Sequence, residues 1–408
     1  MLNFDLLPLK YLFIYHTFDV LGGVQTLMAR MSDWLVRNGH QVTILVNSAS
    51  KAHELLPASV ACIPLGREFN SIFYNLHARS IWRRLGLQTP DVIKSFDLST
   101  SWAAFVLAGI MRPTPKVVAG FYTPNEFDYQ RISDRPIGGY GLFVRNLFKN
   151  IHAGARLTCD TTIITEAQER FGKDKSFVFW PLPVNVEAFE GVKRNPVWGR
   201  LVSIGRLAPM KEYNLHTIDL VRKLRLKGYD VKWTVYGSGS YEPEMRNRIA
   251  SKGLGGVIEL KGDVPYQEFG RVLEGAYVFV GMGTSVIEAS LCRVPSVVAV
   301  PYDGEGRTYG PLHRVPLASD PEFFGNPDRT IEDEVVRVLR LSEVDYRKEA
   351  ELGYIAAQTY SLPSRMQEFQ RIVEQTPVVR ADQITGFYNY LYALARRARV
   401  GFGAFSSL

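Results

Sequence analysis

The sequence predicts an α/β protein made of two doubly wound halves, each a mainly parallel sheet with helices on both faces. Three observations carry that expectation. Apolar runs of strand length alternate with segments whose apolar residues recur at helical spacing. Glycine turns stand at the junctions between them. The whole grammar of strand, glycine turn, helix and strand appears twice in a chain of 408 residues, a length that suits two domains.

In order, residues 11–17 are an apolar run, Gly22-Gly23 break it, and Val24, Leu27, Met28, Met31 and Leu35 recur at helical spacing before Gly39. Residues 41–46 read as the next strand and complete a strand-helix-strand unit. A further apolar run, 92–96, ends at Asp97. In the second half, residues 201–204 are a strand and 205–212 a polar turn, and Thr217, Leu220, Val221 and Leu224 mark a helix face closed by Gly228. Residues 231–236 form a strand that ends in Gly237-Ser238-Gly239, and strands follow at 257–260, 277–280 and 296–300. Apolar periodicity lapses over the polar, proline-bearing stretch 181–198, where the halves should divide. Residues 362–372 read as a closing helix.

Composition narrows the function classes. With 46% hydrophobic and 22% charged residues the chain is neither disordered nor fibrous. Cys62, Cys159 and Cys292 lie far apart without metal-ligand spacing, so neither a disulfide framework nor a structural zinc is expected. The start is interrupted by Asp5 and Lys10 and lacks a cleavage site, so it reads as a buried strand rather than a signal peptide. No apolar run reaches bilayer length, and a cytoplasmic protein is expected. A net charge of +7 calls for an anionic partner: nucleic acid, an acidic membrane or a phosphorylated substrate. No nucleic-acid-binding motif accompanies the basic residues, so that class is set aside.

Ligands of parallel sheets sit beyond the carboxyl ends of the strands, and the candidates are sought there. At Gly22-Gly23 missing side chains let backbone amides approach an anion at a helix N-terminus; a tight turn for close packing is the alternative. The loop Gly205-Arg206-Leu207-Ala208-Pro209-Met210-Lys211 puts two cations after a strand, where they could hold a departing diphosphate without a metal. Arg206 offers a planar fork and Lys211 a point charge; a solvated basic turn is the alternative. In Gly281-Met282-Gly283-Thr284-Ser285 two glycines turn out of a strand and Thr284 or Ser285 caps a new helix. Glu288 falls one turn further on, placed to accept hydrogen bonds from vicinal hydroxyls such as a ribose or to serve in a capping box.

The order of these loops resembles the retaining glycosyltransferase family 4, or group 1, over residues 11–369. Gly22-Gly23 with Gly39-His40-Gln41-Val42 is similar to the family's amino-terminal glycine loop and second strand. Ile204-Gly205-Arg206-Leu207 with Lys211 resembles its Gly-Arg-Leu and lysine loop, and Tyr236-Gly237-Ser238-Gly239 its next strand and turn. Leu260-Lys261-Gly262-Asp263-Val264 resembles the strand end that reads the base, and Glu288-Ala289 and Arg293-Val294-Pro295-Ser296-Val297 the acidic signature and its following strand. The resemblance implies a GT-B fold, two facing Rossmann-like domains with the donor cleft between them. It also implies retention of configuration by front-face attack, no cofactor and no metal, and uridine diphosphate as leaving group.

Arg206, Lys211 and Glu288 are then the catalytic candidates. Gly22, Gly23, Gly205, Gly237, Gly262, Asp263, Val264, Gly281, Met282, Gly283, Thr284 and Ser285 are the donor-binding ones. Two departures stand out. The family carries a second glutamate seven intervening residues before Glu288, and here that position is Val280. Relatives carry a histidine near Thr123, and Asn125 or Glu126 stands in its place as a donor or acceptor contact.

The implied division is an acceptor-side domain at 1–185, a nucleotide-sugar-binding domain at 186–362, a closing helix at 363–380 returning to the first domain, and a basic aromatic tail at 381–408. The partners implied are a nucleotide-sugar donor and a saccharide acceptor, lipid-linked, in cell-surface polysaccharide synthesis. Segments 67–85 and 140–149 and the tail interleave arginines with large apolar groups, which suits either docking on the inner membrane face or helices whose aromatic side is core. A catalytically idle partner subunit, or a nucleotide-sugar-binding protein of the same fold, is the alternative to an enzyme.

Overall fold

The computed structural model describes residues 8–19, 22–73, 77–122, 147–148, 150–159, 161–171, 176–316 and 326–378. The chain forms two units, Met1–Trp180 with Met366–Leu408, and Pro181–Arg365.

Unit 1 holds a seven-stranded sheet. Its elements run β1 (Lys10–Ile14), α1 (Gly23–Arg37), β2 (Gln41–Val46), β3 (Ala61–Pro64), α2 (Arg67–Phe73), α3 (Ala78–Leu85), β4 (Val92–Ser95), α4 (Leu98–Ile110), β5 (Lys116–Phe121), β6 (Arg156–Thr158), α5 (Thr161–Phe171) and β7 (Val178–Phe179). The strand order is β3-β2-β1-β4-β5-β6-β7, all pairs parallel. Strands covered on both faces are mostly apolar, and β1 and β4 are almost wholly buried, β4 taking Lys94 and Ser95 with it. β3 goes unread in the sequence because it is a four-residue edge strand, part exposed and ending in proline.

Helices α2 and α3 settle one open alternative. Phe69, Ile72 and Ile81 are buried in the same core as α4, with Trp82 and Leu85 packed against it. The apolar side of segment 67–85 is thus spent on the core, and Arg67, Arg79, Arg83 and Arg84 remain exposed. Leu147 and Phe148 are core residues too. The rest of 140–149, and the tail from 379, lie outside the described residues. No helix among the described residues is long and apolar enough to cross a membrane.

Unit 2 repeats the plan with β8 (Arg200–Ile204), α6 (Tyr213–Leu226), β9 (Lys232–Tyr236), α7 (Glu242–Ser251), β10 (Ile258–Leu260), α8 (Phe269–Leu273), β11 (Val278–Gly281), α9 (Thr284–Leu291), β12 (Ser296–Ala299), β13 (Arg307–Pro311), β14 (Arg329–Thr330), α10 (Ile331–Leu339) and α11 (Glu343–Gln358). Its sheet runs β10-β9-β8-β11-β12-β13-β14, and the last two strands join antiparallel. That antiparallel edge was not foreseen. Trp233, Val278, Val280 and Val297 form its centre, and all are buried.

The entry and exit of unit 2 are hydrogen-bonded to each other: Val184 N–H donates to Tyr360 O at 2.8 Å, and Leu362 N–H to Val184 O at 2.8 Å. Helix α12 (Leu362–Gln375) follows, and from Met366 it belongs to unit 1. There Phe369 lies 6.2 Å from the ring of Tyr11 and 6.0 Å from that of Trp180, and Gln370 meets His40 Nε2 at 3.0 Å.

Candidate active site

In unit 2 the loops after β8, β9 and β10 are knitted by backbone. Gly205 N–H donates to Tyr236 O at 2.9 Å, Leu207 N–H to Ser238 O at 2.8 Å, and Gly237 N–H to Gly262 O at 2.7 Å. The approach is so close that a Cβ on Gly237 would stand 2.0 Å from Gly205 O, and one on Gly239 2.2 Å from Leu207 O; both glycines also have positive φ. The amides of Gly205 and Gly237 are therefore committed within the protein, and their missing side chains serve packing. Asp263 is drawn into the same surface, accepting from Ser238 Oγ at 2.8 Å.

The cation loop sits on this base. Pro209–Lys211 makes a short 3-10 turn. The Lys211 ammonium folds over Gly205, where a Cβ would lie 2.5 Å from Nζ. Lys211 is half-buried and Arg206 exposed. A half-buried ammonium held beside a bare backbone, with a guanidinium in the same loop, has the chemistry to attract an anion.

After β11, Met282 is fully buried and Gly283 is the N-cap of α9, at φ 71° and ψ −152°. The helix has no side-chain cap, which corrects the expectation for Thr284 and Ser285. The helix begins one residue earlier than that expectation requires, in a conformation that favours glycine, and Ser285 Oγ instead donates to Met282 O at 3.0 Å. Glu288 is the fifth residue of α9 and only 2% exposed. That position is too deep in the helix for a capping box. Burial pushes the neighbouring Cys292 thiol up to about 12, with Arg194 opposing and the Glu288 charge adding to the rise. Val280 is a fully buried strand residue whose carbonyl accepts from Ser203 Oγ at 2.7 Å.

One unit 2 feature escaped sequence reasoning. The connection from β12 to β13 is braced on the cation loop: Tyr302 N–H donates to Met210 O at 3.0 Å. Tyr302 is held at φ 53° and 63% exposed, and its neighbour Asp303 is clamped to Arg307 by two bonds of 2.6 Å. An exposed aromatic ring in a backbone conformation that costs about 1 kcal/mol marks a candidate ligand contact. The cluster Asp303-Gly304-Glu305-Gly306 was its only sequence signal.

In unit 1 Gly22 is the N-cap of α1 in extended backbone, and a Cβ on Gly23 would meet nothing within 4 Å. Gly22 adopts a backbone that any residue can take, and a side chain at Gly23 would meet no described neighbour. The Gly22 amide is satisfied by Gln25 Oε1 at 3.1 Å, and Gln25 Nε2 donates to Thr17 O at 3.0 Å. Nearby, Asp19 Oδ1 accepts from both the N–H and the hydroxyl of Ser50 at 2.8 Å. Hydrogen bonds from Ser48 first, then from Ser50, bring its carboxyl down to about 2.

Beyond the ends of β1 and β4 a second cluster forms. Asp97 is the N-cap of α4: its Oδ1 accepts from Thr100 N–H and Ser99 Oγ, both at 2.7 Å. Its Oδ2 lies 3.1 Å from His16 Nε2, which is also 2.8 Å from Ser99 Oγ. Burial pushes the Asp97 carboxyl up, but His16 and the capping bonds outweigh it and hold the group below its ordinary value. The sequence flagged Asp97 without a partner and absorbed His16 into a strand run. It likewise hid Lys94, fully buried in β4, whose Nζ donates to Ser95 O at 2.8 Å and lies 4.7 Å from the Phe96 ring centre. Asn125 and Glu126 lie outside the described residues. Among the described residues no group of three or more His, Cys, Asp or Glu side chains is arranged to hold a metal.

Comparison with known proteins now bears on the two units. Residues 21–188 match the family described as Glycosyltransferase Family 4, and residues 198–311 match Glycosyl transferases group 1. The chain is a group 1 glycosyltransferase of the GT-B type. The two matches together span more than two thirds of the sequence, and the second contains the cation loop and Glu288. No curated protein sequence matches the transferase. Among solved structures it is similar to a glycosyltransferase from Rickettsia africae, with TM-score 0.67 and 15% identity over 90% of this chain and 98% of that one. It is also similar to HepE of Anabaena in complex with UDP and glucose, with TM-score 0.61 and 14% identity over 90% and 100%. A third is the sucrose-phosphate synthase of Thermosynechococcus elongatus, with TM-score 0.62 and 13% identity over 90% and 98%. At such identities these likenesses carry the fold.

Proposed function

We propose that the protein is a retaining, metal-independent hexosyltransferase that moves a sugar from a uridine diphosphate donor to a saccharide acceptor. The observation that carries the reading is the half-buried Lys211 ammonium fixed over Gly205 in the same loop as Arg206. As the bond from the anomeric carbon to the phosphate oxygen breaks, the acceptor oxygen bonds to that carbon on the same face and its proton passes to the leaving phosphate oxygen. The two cations stabilise the charge that develops on the diphosphate, the work a metal ion does in other transferases. Glu288 serves the nucleoside side, with the amides at the start of α9 and the 262–264 turn. UDP as the leaving group is supported by the HepE complexes with UDP and with UDP-glucose.

The acceptor is proposed to be lipid-linked, in cell-surface polysaccharide synthesis, with Arg67, Arg79, Arg83 and Arg84 drawing the protein to an anionic membrane. Cosedimentation with vesicles that contain phosphatidylserine, lost in high salt, tests that part. Thermal stabilisation by uridine, guanosine and adenosine diphosphates, with and without chelator, tests the donor reading. A shift with UDP that survives chelation is expected; a shift that needs added metal sinks metal independence. One observation favours a second reading. Val280, at the position where the family carries glutamate, is buried core. An idle partner subunit would show UDP binding with no turnover on any acceptor.

A further inference from the structure

We propose that a cavity at the far end of α9 in unit 2 binds an organic phosphate monoester, its apolar body on Phe189 and Leu291 and its phosphate held by Lys193 and Arg293. This binding does not depend on the proposed transfer activity and is apart from the loops assigned to the donor.

The cavity holds about 290 Å³ and is lined by the segment 186–194 that leads into β8, by the end of α9 and by Tyr354 and Gln358 of α11. Small-molecule sites begin at about 300 Å³, so the ligand is a small one. β11 and β12 are parallel, and α9 carries the chain back between them against the strand direction. The start of α9 is therefore at the carboxyl ends of the strands, beside the candidate active site. Its other end, about 12 Å away for eight residues, is at the opposite edge of the sheet. The two sites share no residue.

The lining carries Lys193, Arg194 and Arg293 against one carboxylate, Glu190. Arg194 is committed to the carbonyls of Leu273, Glu274 and Ala276. Arg293 donates from Nε to Glu351 Oε2 at 2.9 Å, and its guanidinium lies 3.8 Å from the centre of the Tyr354 ring. Those two contacts fix the plane of the group and leave the hydrogens of both Nη atoms uncommitted among the described residues. Lys193 and Gln358 likewise make no hydrogen bond or ion pair among the described residues. Cys292 is the C-cap of α9, and Arg293 follows it at φ 54°, the left-handed conformation that glycine takes most readily after a helix. Nothing in the backbone calls for arginine there, and the tie to Glu351 uses one of its five N–H groups.

Charge and floor together choose the ligand. Lys193 and Arg293 are exposed, and two uncommitted cations match the nearly double negative charge of a phosphate monoester better than the single charge of a carboxylate. The C-terminal pole of α9 opposes an anion with only about half an elementary charge, which the two cations exceed. The lining also includes Val186, Phe189, Leu291 and Cys292, all buried and apolar, which offer inorganic phosphate nothing to bond. An ester with a short alkyl or single-ring body satisfies both parts. The same group occurs on soluble esters and on the headgroup of phosphatidic acid, and the experiment separates those sources.

The experiment is titration calorimetry of the full chain with hexyl phosphate, hexanol and inorganic phosphate, each with and without saturating UDP. Hexyl phosphate should bind at least about tenfold more tightly than either of its halves, and UDP should leave that affinity unchanged. Lys193→Ala and Arg293→Gly should each weaken it about tenfold or more, as loss of one charged hydrogen bond implies, and Glu190→Gln should not weaken it. Glycine suits φ 54°, so Arg293→Gly should melt near the parent when no ligand is present. Cosedimentation with phosphatidylcholine vesicles that contain phosphatidic acid, lost in Arg293→Gly, identifies the lipid as the source; hexyl phosphate binding without that loss identifies a soluble ester. No binding of hexyl phosphate, equal binding of hexanol or of inorganic phosphate, or unchanged affinity in both cation variants overturns the proposal. Displacement by UDP also overturns it, since that would return the anion to the Lys211 loop. If hexyl phosphate binds as expected and UDP does not bind, the cavity site stands and the donor reading falls.

Discussion

Removing the two cations of the β8 loop, singly and together, measures what that loop contributes to the reaction. Lys211 is half-buried with its ammonium laid on the bare backbone of Gly205, so it is oriented before any ligand binds. Loss of one preorganised donor aimed at developing charge lowers kcat by about 100- to 1,000-fold, or about 3–4 kcal/mol, and Lys211→Ala is expected in that range. Arg206 is exposed, so water and salt screen it. Its charged hydrogen bond should contribute at the lower end of about 1.5–3 kcal/mol, and Arg206→Ala should lose about tenfold. If both grip one diphosphate, the double variant loses less than the sum, because two groups sharing a partner couple. The assay is the initial rate of UDP release from UDP-glucose in the presence of acceptor, beside a melting curve. Neither side chain belongs to a core cluster, so folding should be preserved. Lys211→Ala with kcat/KM within threefold of the parent and an unchanged melting temperature would refute the reasoning.

Other expectations concern the scaffold. Gly237→Ala puts a methyl group 2.0 Å from Gly205 O at φ 138°, so thermal denaturation should show a loss of about 3 kcal/mol or a protein that does not accumulate. Glu334, 1% exposed, receives Arg329 Nη1 at 2.5 Å and Arg337 Nε at 2.7 Å, and Glu334→Ala should cost about 1–3 kcal/mol in urea unfolding, because both part-exposed guanidinium groups lose a charged hydrogen bond while Arg337 keeps Glu349. Burial pushes the Glu334 carboxyl up, but its two arginines outweigh that and hold it below its ordinary value. Its contribution should therefore be complete above the ordinary glutamate range and fade as pH falls through the lowered value; urea midpoints that do not respond to acid would count against it. Burial raises the thiols of Cys62 to about 11 and Cys292 to about 12, so neither should react with a disulfide reagent at neutral pH until denaturant is added.

The fold was legible because strands covered on both faces must be apolar along their length and glycine marks where they end. Residues 41–46 and 231–236 show this, since their runs nearly coincide with β2 and β9. What stayed hidden was whatever depends on neighbours distant in sequence. Lys94 passed as part of an apolar run because nothing local shows that the rings of Phe96 and Tyr122 surround its ammonium. His16 and Asp97 are 81 residues apart, and only strand pairing reveals that they meet. Gly205 and Gly237 were read as glycines of a ligand loop, yet the Gly205 amide donates to Tyr236 O at the end of β9 and the Gly237 amide to Gly262 O beyond β10. The cap of α9 was misplaced by one residue because a threonine-serine pair looks like a cap wherever it stands, while Gly283 answers to a backbone angle that a sequence does not display.

The hydrogen bonds between residue 184 and residues 360 and 362 make unit 2 an insertion whose two ends are side by side, and that fixes an order of events during synthesis. A ribosome releases all of unit 2 before Phe369, yet Phe369 is what covers Tyr11 and Trp180 in unit 1. The first half of the chain must therefore wait, its sheet complete and one apolar face bare, while the second half is made and folds. Chains stopped at residue 365 should accordingly show a protease-resistant second half and a first half that binds chaperones, and adding the last ten residues of α12 should release it.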